Sequence, residues 1–234
     1  MFKNNTFSFL LLCLITTSSI FFTRCSHLGV NPSEAIISYD ISYPIPFEDK
    51  WLERLMPKDM TMKFKDHQLK TELSFGLGMI KIGFLSDSKK RQLFEMLKFM
   101  KKKNFSTRNN EEVNLMMSSI PPHKITPGES TKMIAGYTCK NSFVEVKDDT
   151  TSYEFECWHT SDLGIENMNW SSPFSPIQGV LMEYEIERFD VKMKFTATKV
   201  ELVEFEAGEF IIPEKYSEIT FKEMQENLEQ LKDI

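Results

Sequence analysis

Alternation of apolar and polar residues marks a strand with one buried face, and it recurs along most of this chain. Ile37, Tyr39, Ile41 and Tyr43 share one face of a first strand at 35–43, which Pro44 and Pro46 end. Residues 59–65 place Met60, Met62 and Phe64 inward against Thr61, Lys63 and Lys65 outward; Asp66-His67 then turns the chain into 69–75. Gly76 and Gly78 break that strand and 79–85 forms the next, so the segment reads as an antiparallel meander. Between the first two strands, 47–56 carries Phe47, Trp51, Leu52 and Leu55 on one side of a short helix that Pro57 stops.

Residues 86–103 fit two patterns. Leu93, Met96, Leu97 and Met100 sit at helical spacing behind a Ser88 cap. A strand-turn-strand is the alternative, with turns at Ser86-Asp87-Ser88 and Lys101-Lys102-Lys103. The spacing favours the helix and the flanking strands favour the sheet. The three lysines suit a solvated turn or a blunted sheet edge, or contact with anionic lipid headgroups. Beyond them, 109–131 reads as a short helix at 111–117 and an irregular loop through Pro121-Pro122 and Pro127-Gly128.

The region 132–187 organises the rest. Strands at 137–146 and 153–160 flank a short polar turn, the signature of a hairpin. A three-residue loop centred on Asp148 pairs Val146 with Thr150 and Phe143 with Tyr153, and sets Cys139 opposite Cys157. Directly opposed residues come close enough for a disulfide, which is the expectation here; two buried free thiols are the alternative. Ser172-Pro173-Phe174-Ser175-Pro176 returns the chain to long strands at 179–186 and 191–205. Leu202, Phe205 and Phe210 are expected in the core, and 210–213 is expected to close the sheet. Ile219 to Leu231 reads as a terminal helix with Thr220 and Glu223 as a capping box and Phe221, Met224, Leu228 and Leu231 on one face. The fold class is mostly β (α+β): a single curved antiparallel sheet packed on a few helices, one of them C-terminal.

The start of the chain departs from this alternation. Lys3 precedes an apolar run, Phe7 to Phe22, without a charge before Arg24. That layout is a secretory signal, so 1–25 is expected as an export segment and 26–234 as one domain. Cys25 ends the segment as a lipoprotein-type anchor would, although Phe22-Thr23-Arg24 stand where small residues are usual; an uncleaved anchor is the other route to the membrane. Cys13 lies within the run. Export to the periplasm, or an outer-membrane anchor, implies an oxidising compartment and favours the Cys139–Cys157 bridge.

Charge narrows the partners. The chain has 28 basic and 34 acidic residues, and the export segment holds two of the basic ones, Lys3 and Arg24, and no acidic ones. The remainder stands at 26 basic against 34 acidic, net −8, which disfavours nucleic acid.

Candidate chemistry is sparse. Four histidines, His27, His67, His123 and His159, form no H-x-x-x-H or H-E-x-x-H pair. Cys139, Cys157 and His159 make three potential metal ligands without a fourth. No G-x-S-x-G elbow occurs. Among 14 methionines, Met60, Met62, Met116 and Met117 are the candidates for copper(I), though methionine is more often a filler of irregular apolar space. No catalytic, cofactor or metal site is assigned.

Four blocks carry a family resemblance. Lys132-Met133-Ile134-Ala135-Gly136-Tyr137-Thr138-Cys139-Lys140 resembles a "K-x-I-x-G-Y-x-C-K" block; Trp158-His159-Thr160 resembles a W-Y-T block. Pro176-Ile177-Gln178-Gly179-Val180-Leu181-Met182-Glu183-Tyr184 is similar to "L-P-G-L-I-L-E", and Phe210-Ile211-Ile212-Pro213-Glu214-Lys215-Tyr216 to "F-x-I-P-x-x-Y". Together they resemble the exported Bacteroidetes GLPGLI and DUF4412-type families of uncharacterised proteins, with the second branch the better fit because Ile177-Gln178 replaces Leu-Pro. The resemblance implies a LolA-like half-barrel and carries over no catalytic residues. The expected function is a non-enzymatic envelope protein binding a lipid or other apolar ligand between sheet and helices. The alternative is a structural or protein-interaction component of the envelope with a filled core.

Overall fold

The alternating segments do form strands. In a computed structural model, which describes residues 34–147, 152–188 and 191–233, β1 (Glu34–Ser42) buries Ala35, Ile37, Tyr39 and Ile41 on one face. Strands β2 (Asp59–Lys65), β3 (Gln68–Phe75), β4 (Ile80–Asp87), β5 (Gln92–Phe99) and β6 (Lys102–Arg108) follow as a meander. A second meander comprises β7 (His123–Ile134), β8 (Tyr137–Lys147), β9 (Ser152–Thr160), β10 (Val180–Arg188) and β11 (Val191–Leu202). β1 pairs with β11 and joins the two into one sheet of twelve strands, with β12 (Ser217–Glu218) running parallel to β6 at one edge. Helices α1 (Lys50–Leu55), α2 (Asn110–Ser118) and α3 (Phe221–Glu229) complete the described residues. The architecture is therefore mostly β: one large, open, curved sheet with three helices, the last of them C-terminal.

Connectivity demands the curvature. From β6 to β7 the sheet counts ten strand spacings, about 48 Å if flat. The link between them, residues 109–122, is the nine-residue α2 and five others, which reach only about 31 Å. The sheet must curl to bring those strands within reach. Asn109 and Glu112 form a capping box that starts α2 where β6 ends.

Several sequence expectations are corrected. Residues 88–103 form strands, and the apparent helical spacing arises because β5 is apolar on both faces. Leu93 and Leu97 point to one side, while Met96 packs on the other over Gly83. Most of the expected loop at 119–131 belongs to β7. This strand lies at the sheet edge, where Pro127 is tolerated; a bulge between Pro127 and Thr131 wraps Asn141, whose carbonyl accepts from the Ser130 N–H at 3.0 Å. Leu202 is exposed, Phe205 and Phe210 are half-buried against each other at 5.3 Å, and β12 instead of 210–213 ends the sheet.

The hairpin register is also offset. Lys147 pairs with Ser152, Phe143 with Glu156 and Ser142 with Cys157. That leaves four residues, 148–151, between the closing pair, and they lie outside the described residues. The expected register is thus wrong by three positions. An odd offset turns Cys139 and Cys157 to opposite faces of the hairpin, and both are buried free thiols. The expected disulfide is not formed in this structure. The export segment 1–25, Cys13 and the expected anchor Cys25 lie outside the described residues.

The interior is filled by a segment that the alternation did not mark. Residues 161–178, of which only 172–176 read as the return of the chain, bury Leu163, Ile165, Met168, Trp170, Phe174 and Ile177. Phe174 meets Phe155 at 6.2 Å and Tyr184 at 5.8 Å, and Tyr184 stacks on Phe195 at 5.0 Å. Asn169 holds the segment by donating to the carbonyls of Ile177 (2.8 Å) and Gly179 (3.0 Å). Tyr39 donates to the Leu181 carbonyl at 2.7 Å. In the other half, α3 buries Met224 and Leu228 against Ile82 and Leu97, and Val113 of α2 meets Leu93 and Trp170. Residues 31–234 form a compact unit that contains every strand pairing and core cluster described.

Candidate functional site

The densest polar constellation lies inside the curl. On β5, alternation places Glu95 between Leu93 and Leu97 on the buried face, opposite Phe84 of β4 and Ser106 of β6. Arg108, two residues along β6, donates from Nη2 to Glu95 Oε2. Arg188, at the end of β10, donates from Nη2 to Glu95 Oε1 at 2.8 Å. β5 and β10 are six strand spacings apart in the sheet, about 29 Å along its surface. The pair therefore closes across the concave side and ties one meander to the other.

Glu95 and Arg108 are each 1% exposed, whereas the Arg188 side chain is 29% exposed. The Phe221 ring lies 4.2 Å from the Arg108 guanidinium, and the Phe84 ring 5.1 Å from that of Arg188. One carboxylate thus serves two guanidinium groups. Arg108 Nε and Nη1 and Ser106 Oγ have no partner among the described residues. The chemistry of such a spot is to donate hydrogen bonds, and an ordered water suits it.

A second polar pair lies on the hairpin. Ser142 Oγ is 3.2 Å from His159 Nε2. Burial lowers the His159 pKa, the backbone of Gln178 raises it and Lys140 lowers it further, with a net fall from the ordinary value. A neutral imidazole beside a hydroxyl is the start of a nucleophilic dyad, but Ser142 is only 3% exposed and faces Cys157 across the ladder. Burial pushes the Cys139 thiol up to about 11 and the Cys157 thiol up to about 12. Both are protonated and poorly nucleophilic at neutral pH.

The structure does not assemble the metal candidates. Among the described residues no group of three His, Cys, Asp or Glu side chains is placed to hold a metal ion. Met60 and Met62 pack in the main core, while Met116 and Met117 lie beside the Leu93–Val113–Trp170 cluster. His123 hydrogen-bonds to the Pro121 carbonyl at 2.8 Å and meets the Phe174 ring edge-on at 5.7 Å. His67 sits at the β2–β3 turn, where its carbonyl accepts from Ser88 N–H. His27 lies outside the described residues.

Two hollows among the described residues open to solvent. One, of ≈ 650 Å³, lies beside α1 and is lined by Ile41, Tyr43, Phe47, Glu53 and Lys58 among others. The other, of ≈ 460 Å³, lies on β7–β9 around Phe143, Glu145 and Glu154. The first lies between α1 and the ends of β1 and β2, and the second lies on the sheet away from the helices. Comparison of the chain with protein-family models and with curated proteins returned no match.

Proposed function

We propose that this protein is an exported, non-enzymatic component of a bacterial cell envelope that acts through its surface and encloses no ligand. The observation that carries this reading is the burial of Leu163, Ile165, Met168, Trp170, Phe174 and Ile177, which pack into the core clusters of the sheet. An enclosed acyl chain would compete with these side chains for the same apolar surroundings. The apolar run before Arg24 supports export, with Cys25 or an uncleaved segment as the attachment to the membrane. The net acidic balance of the chain supports protein or lipid partners over nucleic acid.

Membership in the GLPGLI/DUF4412-type group, with a LolA-like curved sheet, belongs to the same proposal. Its support is the order of the four blocks. The first spans the β7–β8 turn, where Ala135 and Gly136 both have positive φ (48° and 88°), as a two-residue type I′ turn requires. The second ends β9, the third enters β10 and the fourth precedes β12.

The test is a titration of the purified domain with a fluorescent fatty-acid analogue, together with organic extraction of protein taken from the envelope. No saturable signal and no stoichiometric lipid are expected. One extracted lipid per chain, displaced by the analogue, would refute the reading and restore the enclosed-ligand alternative.

A further inference from the structure

The strand pairings gather three connections at one end of the sheet. Asp40 pairs with Asp59, Phe75 with Ile80 and Phe99 with Lys102. The β1–β2 connection with α1, the β3–β4 turn and the β5–β6 turn therefore share that rim. They touch: α1 contacts the turn Gly76–Gly78, and the Met100 N–H donates to the Met79 carbonyl at 2.9 Å.

Each connection holds a large apolar side chain out to water. Trp51 is 62% exposed, Leu77 83% and Met100 61%, and Leu52 and Met79 beside them are exposed as well. Leu77 and Met100 also have φ of 57° and 52°, in the left-handed region where glycine or asparagine costs less. Neither the local backbone nor the core accounts for a bulky apolar residue at either tip.

The β5–β6 part of the rim is basic in a chain that is acidic as a whole. Lys101 follows Met100 at the turn and Lys102 begins β6. Lys98 and Lys103 are directly opposed in the ladder, an arrangement that like charges disfavour. Partial desolvation, with the ammonium groups of Lys215 and Lys98 nearby, holds Lys103 below the usual lysine range. On the α1 side of the rim, Lys50, Arg54 and Lys58 are outnumbered by Glu48, Asp49, Glu53 and the paired Asp40 and Asp59, so the positive charge is confined to the β5–β6 turn.

We infer that this rim docks on an anionic lipid bilayer, with Trp51, Leu77 and Met100 entering the interface and Lys98, Lys101, Lys102 and Lys103 meeting the headgroups. Tryptophan favours the boundary between acyl chains and headgroups, and lysines beside it gain from a negative surface. A second copy of the chain fits less well. A twofold contact through this rim would press two like-charged lysine clusters together. The inference rests on the envelope reading above for its setting, but its test does not.

Residues 31–234, which contain every strand pairing and core cluster described, are first checked for a cooperative melt and then mixed with vesicles of phosphatidylcholine alone or of phosphatidylcholine with phosphatidylglycerol. Sedimentation with the anionic vesicles only, and a blue shift of tryptophan emission, are expected. Changing Lys101, Lys102 and Lys103 together to Gln should weaken binding by at least about tenfold. Changing Trp51, Leu77 and Met100 together to Ser should abolish it at an unchanged melting temperature, because all three are exposed. Failure to sediment with the anionic vesicles, or undiminished binding by the lysine variant, overturns the inference. So does a lipid-free dimer that the Trp51→Ser variant dissociates, which would assign the rim to a second copy. None of these results alters the fatty-acid titration, so the two proposals fail separately.

Discussion

Replacing Glu95 by Ala is the sharpest perturbation of the interior. Glu95 supplies the sole hydrogen-bond acceptor of Arg108 among the described residues, and both side chains are 1% exposed. The substitution leaves a buried guanidinium without a counterion or an acceptor. Breaking a buried ion pair in this way costs about 3–5 kcal/mol, a large part of the roughly 5–15 kcal/mol that holds a domain folded. For a domain of this size each kcal/mol moves the melting temperature by about 2–4 °C, so a fall of about 6–20 °C is expected. Arg188 contributes less to that loss, because its more exposed side chain retains access to solvent. Arg108→Met should cost less than Glu95→Ala, since it leaves Glu95 paired with Arg188 and sets an apolar group against the Phe221 ring. The double variant should then be more stable than Glu95→Ala alone, because the orphaned cation is gone. Urea melts followed by circular dichroism give the four free energies of the cycle. Lys222→Ala, at an exposed pair with Glu226, is the control and should cost under about 0.5 kcal/mol. A Glu95→Ala loss below about 1 kcal/mol, or strictly additive effects in the cycle, would show that water reaches the site and would refute the reasoning.

Three further outcomes follow from the same geometry. Gly179 has φ +83°, and an added Cβ would lie 2.2 Å from the Thr160 carbonyl oxygen; Gly179→Ala should cost about 2 kcal/mol or more in a chemical melt, and a neutral result would contradict the β9–β10 geometry. Cys139 and Cys157 should resist alkylation at pH 8 in the folded domain and both react in guanidinium; a mass two hydrogens lower in unfolded, unreduced protein would mean that they are bridged. Burial is the main cause that lowers His123 and His159, so the unfolded chain takes up their protons first as pH falls. Stability present above pH 6.5 should therefore decline below it, by up to about 1.4 kcal/mol per pH unit for each histidine. Thermal melts of His159→Gln should show a shallower slope there, and an unchanged slope would contradict its burial. Below about pH 4.5 a further loss is expected from Glu183, which burial raises but Lys194 and Lys132 together hold low.

The sequence was informative where one face of an element meets water. β1 and β2 show alternation because each is amphipathic, and α3 was readable from its Thr220–Glu223 box and from Met224 and Leu228 four positions apart. β5 was ambiguous because Met96 is buried on one face and Leu93 and Leu97 on the other. β7 was missed because an exposed edge strand needs no apolar stripe and carries Pro127. The hairpin register depends on loop length, and nothing in Lys147-Asp148-Asp149-Thr150 distinguishes three linking residues from four. Residues 161–179 fill the core without periodicity, so no spacing betrayed them. The Glu95 cluster joins residues 93 positions apart. Its one local signal was a carboxylate on the same face of β5 as Leu93 and Leu97, where an unpaired charge is not tolerated.

The claim on which the account turns is that Trp170, Phe174 and their neighbours occupy the inside of the curled sheet and leave no room for a ligand. Native mass spectrometry of residues 31–234, secreted behind a cleavable leader and purified without detergent, tests it most directly. A single species at the mass of the polypeptide is expected. A second species heavier by one lipid, persisting through gentle desolvation, would contradict it.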